Sequence, residues 1–143
     1  MSLLKRLFKG NSSSGLNDDQ ILELEQKLNK KIPKSYRDFL QNYPNELIKL
    51  GYPYNTVSEL SLPNTVERIV EINEFEEVDK NILVIGVNGL GDFYYIILDG
   101  DTNKIHEFQH DSPPTDKGKV IWNTQWPYQS LKDLIKELKE TLS

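Results

Sequence analysis

The sequence predicts an α+β fold in which an antiparallel β-sheet, run as a meander, is flanked by an N-terminal helix pair and a C-terminal helix. Three observations lead to it. Apolar residues recur at helical spacing near both ends of the chain. Between them, residues 82–109 are rich in β-branched and aromatic side chains. Asn88-Gly89 and Asp99-Gly100 divide that block into hairpin-sized pieces.

Asn17 is placed to cap the first helix, Gln20 completes a capping box three residues on, and Leu16 and Ile21 form a hydrophobic staple. Ile21, Leu24 and Leu28 make its buried stripe. Pro33 suits the first turn of a second helix, where Tyr36, Phe39, Leu40 and Tyr43 share one face until Pro44 stops it. Residues 46–62 are broken by Gly51 and Pro53 and followed by Pro63, which predicts short strands or loops. Residues 65–75 combine a helical stripe of Val66, Ile69 and Val70 with β-branched content, and a helix capped by Asn64 or Thr65 is expected.

Ile82–Val87 reads as a buried strand, residues 93–98 as its hairpin partner and residues 104–109 as the third strand. Val120, Ile121 and Trp122 are expected to add a fourth, after a proline-containing loop over 111–118. Ser130 with Asp133 opens the last helix, whose Leu131, Leu134, Ile135, Leu138 and Leu142 form a continuous apolar stripe.

At 143 residues one core is expected. Residues 1–15 form a basic N-terminal segment and a flexible Ser/Gly joint, and residues 16–143 form a single domain. The basic segment lacks the unbroken apolar run and small-residue cleavage site of a secretory signal, and is expected to pack on the domain or fray rather than anchor in a membrane. No cysteine is present, which excludes disulfides, thiolate metal sites and thiol nucleophiles, and makes the cytoplasm the simpler expectation.

Net charge is −5, unevenly spread. Residues 67–80 hold six acids against two bases, and residues 92–116 hold six against one. Such a surface repels phosphate backbones, so direct nucleic-acid binding is disfavoured, and it attracts basic protein partners. The plainer role of each acid is to keep the surface soluble.

His106-Glu107-Phe108-Gln109-His110 spells the H-E-x-x-H box, by which a helix presents two zinc ligands and a general base. As a helix it would make the chain a zinc hydrolase. As a strand it would hold the imidazoles roughly 13 Å apart, too far to share an ion. A turn just before it and Ser112-Pro113-Pro114 just after it favour the strand, with Ile105, Glu107 and Gln109 on one face and His106, Phe108 and His110 on the other. Asp99, Asp101 and Asn103 match the first positions of a calcium loop, but Lys104 and His110 stand where that loop needs glycine and glutamate. Gly89-Leu90-Gly91 lacks the third glycine and the helix of a dinucleotide site. No catalytic residues, metal ligands or cofactors are therefore assigned.

Along this order of elements three sets of words resemble the SUKH superfamily. Residues 21–40, from Ile21-Leu22-Glu23-Leu24 to Ile32-Pro33-Lys34-Ser35-Tyr36-Arg37-Asp38-Phe39-Leu40, resemble its opening. Asn88-Gly89-Leu90-Gly91-Asp92-Phe93-Tyr94-Tyr95 resembles its central Gly-Asp hairpin, and residues 104–111 resemble the next strand, which often ends in a His-acid pair. The resemblance covers residues 16–142. Where many members carry Asn-Gly-Gly after the second helix, this chain has Asn42-Tyr43-Pro44.

The resemblance implies a non-enzymatic protein-binding domain, most simply a bacterial immunity protein that neutralises a cognate toxin, often a nuclease, by binding it. A regulatory interaction module, like the fungal members that act in cell-wall regulation, is the alternative. Under that resemblance the expected partner contacts are Glu74, Glu76, Glu77, Asp92, Asp99, Asp101, Trp122 and Trp126, against a toxin with a basic surface. Gly89, Gly91, Pro33 and Tyr36 would be structural. A monomer without membrane contact is expected.

Overall fold

The local signals at the N-terminal end act as the sequence predicts. In the computed structural model, which describes residues 15–50, 61–76, 78–88, 91–111, 113, 115–122 and 127–142, helix α1 spans Asp18–Leu28. Both halves of its capping box form: Gln20 N donates to Asn17 Oδ1 at 2.8 Å, and Asn17 N to Gln20 Oε1 at 2.9 Å. The staple residues Leu16 and Ile21 are buried in one core. Helix α2 (Lys34–Gln41) starts behind Pro33 and buries Tyr36, Phe39 and Leu40. Pro44 both ends that helix and opens a short one, α3 (Asn45–Lys49), where strand or loop is the sequence expectation. A proline suits a helix start because its missing N–H is needed by no intrahelical bond there. Helix α4 (Val66–Phe75) is capped by Thr65, whose hydroxyl accepts from Arg68 N at 3.3 Å.

Strands β1 (Ile82–Val87), β2 (Phe93–Ile97) and β3 (His106–Phe108) form an antiparallel sheet in chain order, the meander predicted. The expected fourth strand does not join it. Lys119–Val120 (β5) pairs instead with Thr115–Asp116 (β4) as a separate ribbon, and the chain that returns beside β3 does so through one bridge, Ile105 to Tyr128. The physical reason is local: Lys117 and Gly118 both take positive φ, a tight turn that pairs neighbours before a longer-range partner is reached. Helix α5 (Leu131–Leu142) closes the chain, with Leu131, Leu134 and Leu138 buried.

Alternation along the strands feeds two apolar layers. Leu83, Ile85, Tyr94, Ile96 and Ile105 face the helices in the main core. Ile82, Val84, Phe93 and Tyr95 face the other way, where Ile72, Phe108 and Trp122 cover them. Burial on both faces explains why β1 and β2 read as unbroken apolar runs rather than alternating ones.

The outer edge of β1 is closed by side chains and by a neighbouring segment. Lys30 Nζ donates to Ile82 O at 2.5 Å, Asn73 bonds both backbone groups of Val84, and Ser61 pairs with Val87 through bonds of 2.8 and 2.9 Å. An edge satisfied in this way does not recruit stray strands. Gly86 makes the Ser61 pairing possible, since a Cβ there would lie 2.4 Å from Leu62 Cδ2 and 2.8 Å from Ser61 O.

Candidate functional site: an acidic groove beside helix α4

Where the end of α4 passes the β1–β2 turn, the surface opens into a groove of about 330 Å³. Its floor is Ile72 and Val87, its lip is Phe75, and Gly91 lies at the turn. Three carboxylates, Glu71, Glu76 and Asp92, line it against one guanidinium, Arg68. Phe75 is 82% exposed, the most open large apolar side chain among the described residues. It sits three residues past Ile72 at the end of α4, where Ile72 is buried in the second layer and Phe75 is left open.

The polar rim is partly locked. Arg68 Nη1 donates to Glu71 Oε1 at 2.7 Å. On the opposite wall Asp92 Oδ1 accepts from His110 N at 2.9 Å and lies 2.6 Å from His110 Nδ1, while Asn88 Nδ2 reaches Asp92 Oδ2 at 3.3 Å. Gly91 adopts φ +94°, and a Cβ at that position would meet the His110 ring at 2.9 to 3.1 Å, so the imidazole packs where only glycine leaves room. Burial alone would raise the Asp92 carboxyl, but the bonds from His110 and Asn88 outweigh it and hold the pKa below the usual range. The same bond from Asp92 raises the His110 imidazole, against a smaller opposing effect of burial and with Asp111, Asp92 and Glu76 adding to it. Glu76 is half-buried at the end of α4, and that burial raises its carboxyl, with His110 pulling the other way.

The predicted contact residues divide between the two ends of the sheet. Glu76 and Asp92 line the groove, and Glu74 is exposed on the last turn of α4. Asp99 and Asp101 lie at the β2–β3 turn, roughly 20 Å along the strand from Asp92, where Asn81 Nδ2 donates to Asp99 and Asn103 N donates to Asp101. Trp122 lies on the second face of the sheet, its ring centroid 5.3 Å from those of Tyr95 and Phe108, with Nε1 donating to Asp79 at 2.9 Å. Glu77, Trp126 and Gly89 fall outside the described residues. Phe75, Arg68 and Glu71 line the groove but were not among the expected contacts, and His110, weighed in the sequence only as a metal ligand and as part of the His-acid pair, holds Asp92. An aromatic at a helix end between Glu74 and Glu76 was the available signal, because charge on both sides is unfavourable for a core position.

The H-E-x-x-H box is a strand, not a helix, which removes the geometry that the zinc reading requires. His106 is buried and stacks on Tyr95 with centroids 5.2 Å apart, whereas His110 lies beyond the strand against Asp92. Ile105 enters the main core and Phe108 the second layer, the alternation expected for an extended segment. Among the described residues no cluster of His, Asp or Glu is arranged to hold a metal ion, and no helix is long and apolar enough to cross a membrane.

Helices packed on an antiparallel sheet, with a groove open beside α4, define an α+β protein. The chain belongs to the SMI1 / KNR4 family (SUKH-1), whose family model matches residues 15–136. At family level that makes it an immunity or regulatory protein-interaction module. A search of curated proteins finds no match to it.

Proposed function

We propose that this protein is an immunity protein of the cytoplasm that neutralises a cognate bacterial toxin by direct, non-enzymatic binding, and that the groove beside α4 is part of the surface it uses. The observation that carries the reading is Phe75, an aromatic side chain left 82% exposed above an apolar floor and ringed by carboxylates, in a chain of an interaction family. An exposed aromatic with a charged rim is the usual composition of a binding hot spot. Acidic charge supports a basic partner. A toxin that acts on nucleic acid needs cationic surface for its substrate, and an acidic binder is steered to that surface and covers it. Glu74, Glu76 and Asp92 supply the charge near the groove, and Asp99 and Asp101 extend it at the far end of the sheet.

Co-expression with a candidate toxin encoded by a neighbouring gene tests the reading. Protection of the cells, with a one-to-one complex whose affinity falls as salt rises, is the expected result. No protection and no complex would leave the regulatory role of the family as the better account.

A further inference from the structure

The end of helix α4 carries negative charge that no base in its own last turn balances, with the His110 imidazole acting on Glu76 from across the groove. Helices α1, α3 and α5 each place a lysine in the last turn, Lys27, Lys49 and Lys139, where a cation complements the negative end of the helix dipole. Helix α2 has none, but its Asp38 is held by Lys34 at 2.7 Å. Helix α4 has no base in its last turn and ends in Glu74 and Glu76. Its one arginine, Arg68, is at the other end, engaged with Glu71. Asp92 is occupied by His110. Glu76 is the half-buried groove carboxylate left to receive a cation, with Phe75 beside it in the chain.

Resting on the binding role proposed above, we propose that the groove receives a single arginine side chain from an extended, exposed segment of the partner. Its aliphatic stem lies over Ile72 and Val87, its guanidinium plane faces the Phe75 ring, and its N–H groups reach the Glu76 carboxylate at the negative end of α4. Arginine suits this set better than lysine. Its planar, weakly hydrated head stacks on an aromatic face and donates in a fork to a carboxylate, whereas an ammonium keeps its water. The apolar floor accommodates the methylene stem, which leaves the charge at the rim.

The test uses the full chain and capped tripeptides, Ac-Gly-Arg-Gly-NH2 and the same peptide with citrulline, which keeps the shape and loses the charge. Titration followed by amide chemical shifts is expected to show saturable changes at Ile72, Phe75, Glu76 and Val87 with the arginine peptide, and binding about tenfold weaker with citrulline. Phe75→Ala and Glu76→Gln, at exposed and half-exposed positions that leave the fold intact, are each expected to weaken the arginine peptide by a similar factor. Equal responses to the two peptides, or changes centred elsewhere, would overturn the assignment. The outcome is separable from the proposed function: a wild-type chain that protects cells while Phe75→Ala and Glu76→Gln protect equally well retains the immunity role and loses the arginine site. A chain that does not protect loses the immunity role, and the peptide titration then judges the arginine site by itself.

Discussion

The carboxamide of Asn73 bonds both backbone groups of Val84, donating to its carbonyl from Nδ2 at 2.8 Å and accepting from its N–H at Oδ1 at 2.8 Å. One side chain on α4 thereby takes the place of a neighbouring strand at the β1 edge, and a second Nδ2 bond to Ile69 O at 2.9 Å fixes its orientation.

Replacing Asn73 by leucine should therefore be costly, although leucine is a better helix former and similar in size. Two buried backbone groups lose their partners, for a destabilisation of about 3 kcal/mol. Asn73→Asp should also destabilise, because a carboxylate cannot donate to Val84 O or Ile69 O. Denaturant unfolding is expected to show a lower midpoint at unchanged slope.

Stability should fall on both sides of a weakly acidic to neutral range, through different residues. His110 is raised in the folded state, so its contribution is complete below its ordinary pKa near 6.5 and is lost as pH rises through the raised value. Asp92 is lowered, so its contribution is present above the usual carboxylate value and lost as pH falls through the lowered one. Buried His106 is lowered chiefly by desolvation, so it also opposes acid: the unfolded chain takes up the proton first. His110→Asn is expected to flatten the alkaline limb of the midpoint-versus-pH curve, and His106→Phe to flatten part of the limb just below pH 6.5. An unchanged alkaline limb in His110→Asn would mean that the Asp92 pair adds nothing to stability.

Trp122 covers Phe93, Tyr95 and Phe108, yet is only half-buried. Trp122→Ala should cost about 2 kcal/mol, below the penalty for a fully buried aromatic. Trp122→Phe keeps the ring contacts and loses the bond to Asp79, for about 1 kcal/mol or less. If instead Trp122 anchors the partner, Trp122→Phe will weaken the complex by far more than it weakens the fold, and comparing the two measurements separates the roles.

Because His106 lies in a strand and His110 lies beyond it against Asp92, zinc added in equimolar amount should leave the thermal midpoint unmoved, as should chelation of the purified protein. Glu107→Ala should not alter any metal response. A saturable rise of several degrees with zinc would show that the two histidines do meet an ion.

Much of this protein was legible along the chain because its signals are short-range. The Asn17 and Gln20 box, the Thr65 cap, the Pro33 start and the Asp99-Gly100 turn after β2 each involve residues a few positions apart, and each formed where the residue types required. The strand character of His106-Glu107-Phe108 followed from the turn before it and the prolines after it in the same way.

Tertiary structure alone decided the rest. Whether residues 120–122 would join the sheet depended on a competition between a near partner, Thr115, and a distant one, β3, which periodicity does not weigh. That Asn73 would complete the β1 edge and that Phe75 would be left open beside Glu76 depend on where α4 lies against the sheet, and that Asp92 would meet His110 eighteen residues away depends on the β2–β3 register. The sequence by itself determined four of the helices and the three central strands, with their apolar faces, but neither α3 nor the β4–β5 ribbon. The groove joins the last turns of α4 to Val87, Gly91 and Asp92, a relation between separated segments that packing of the whole core sets.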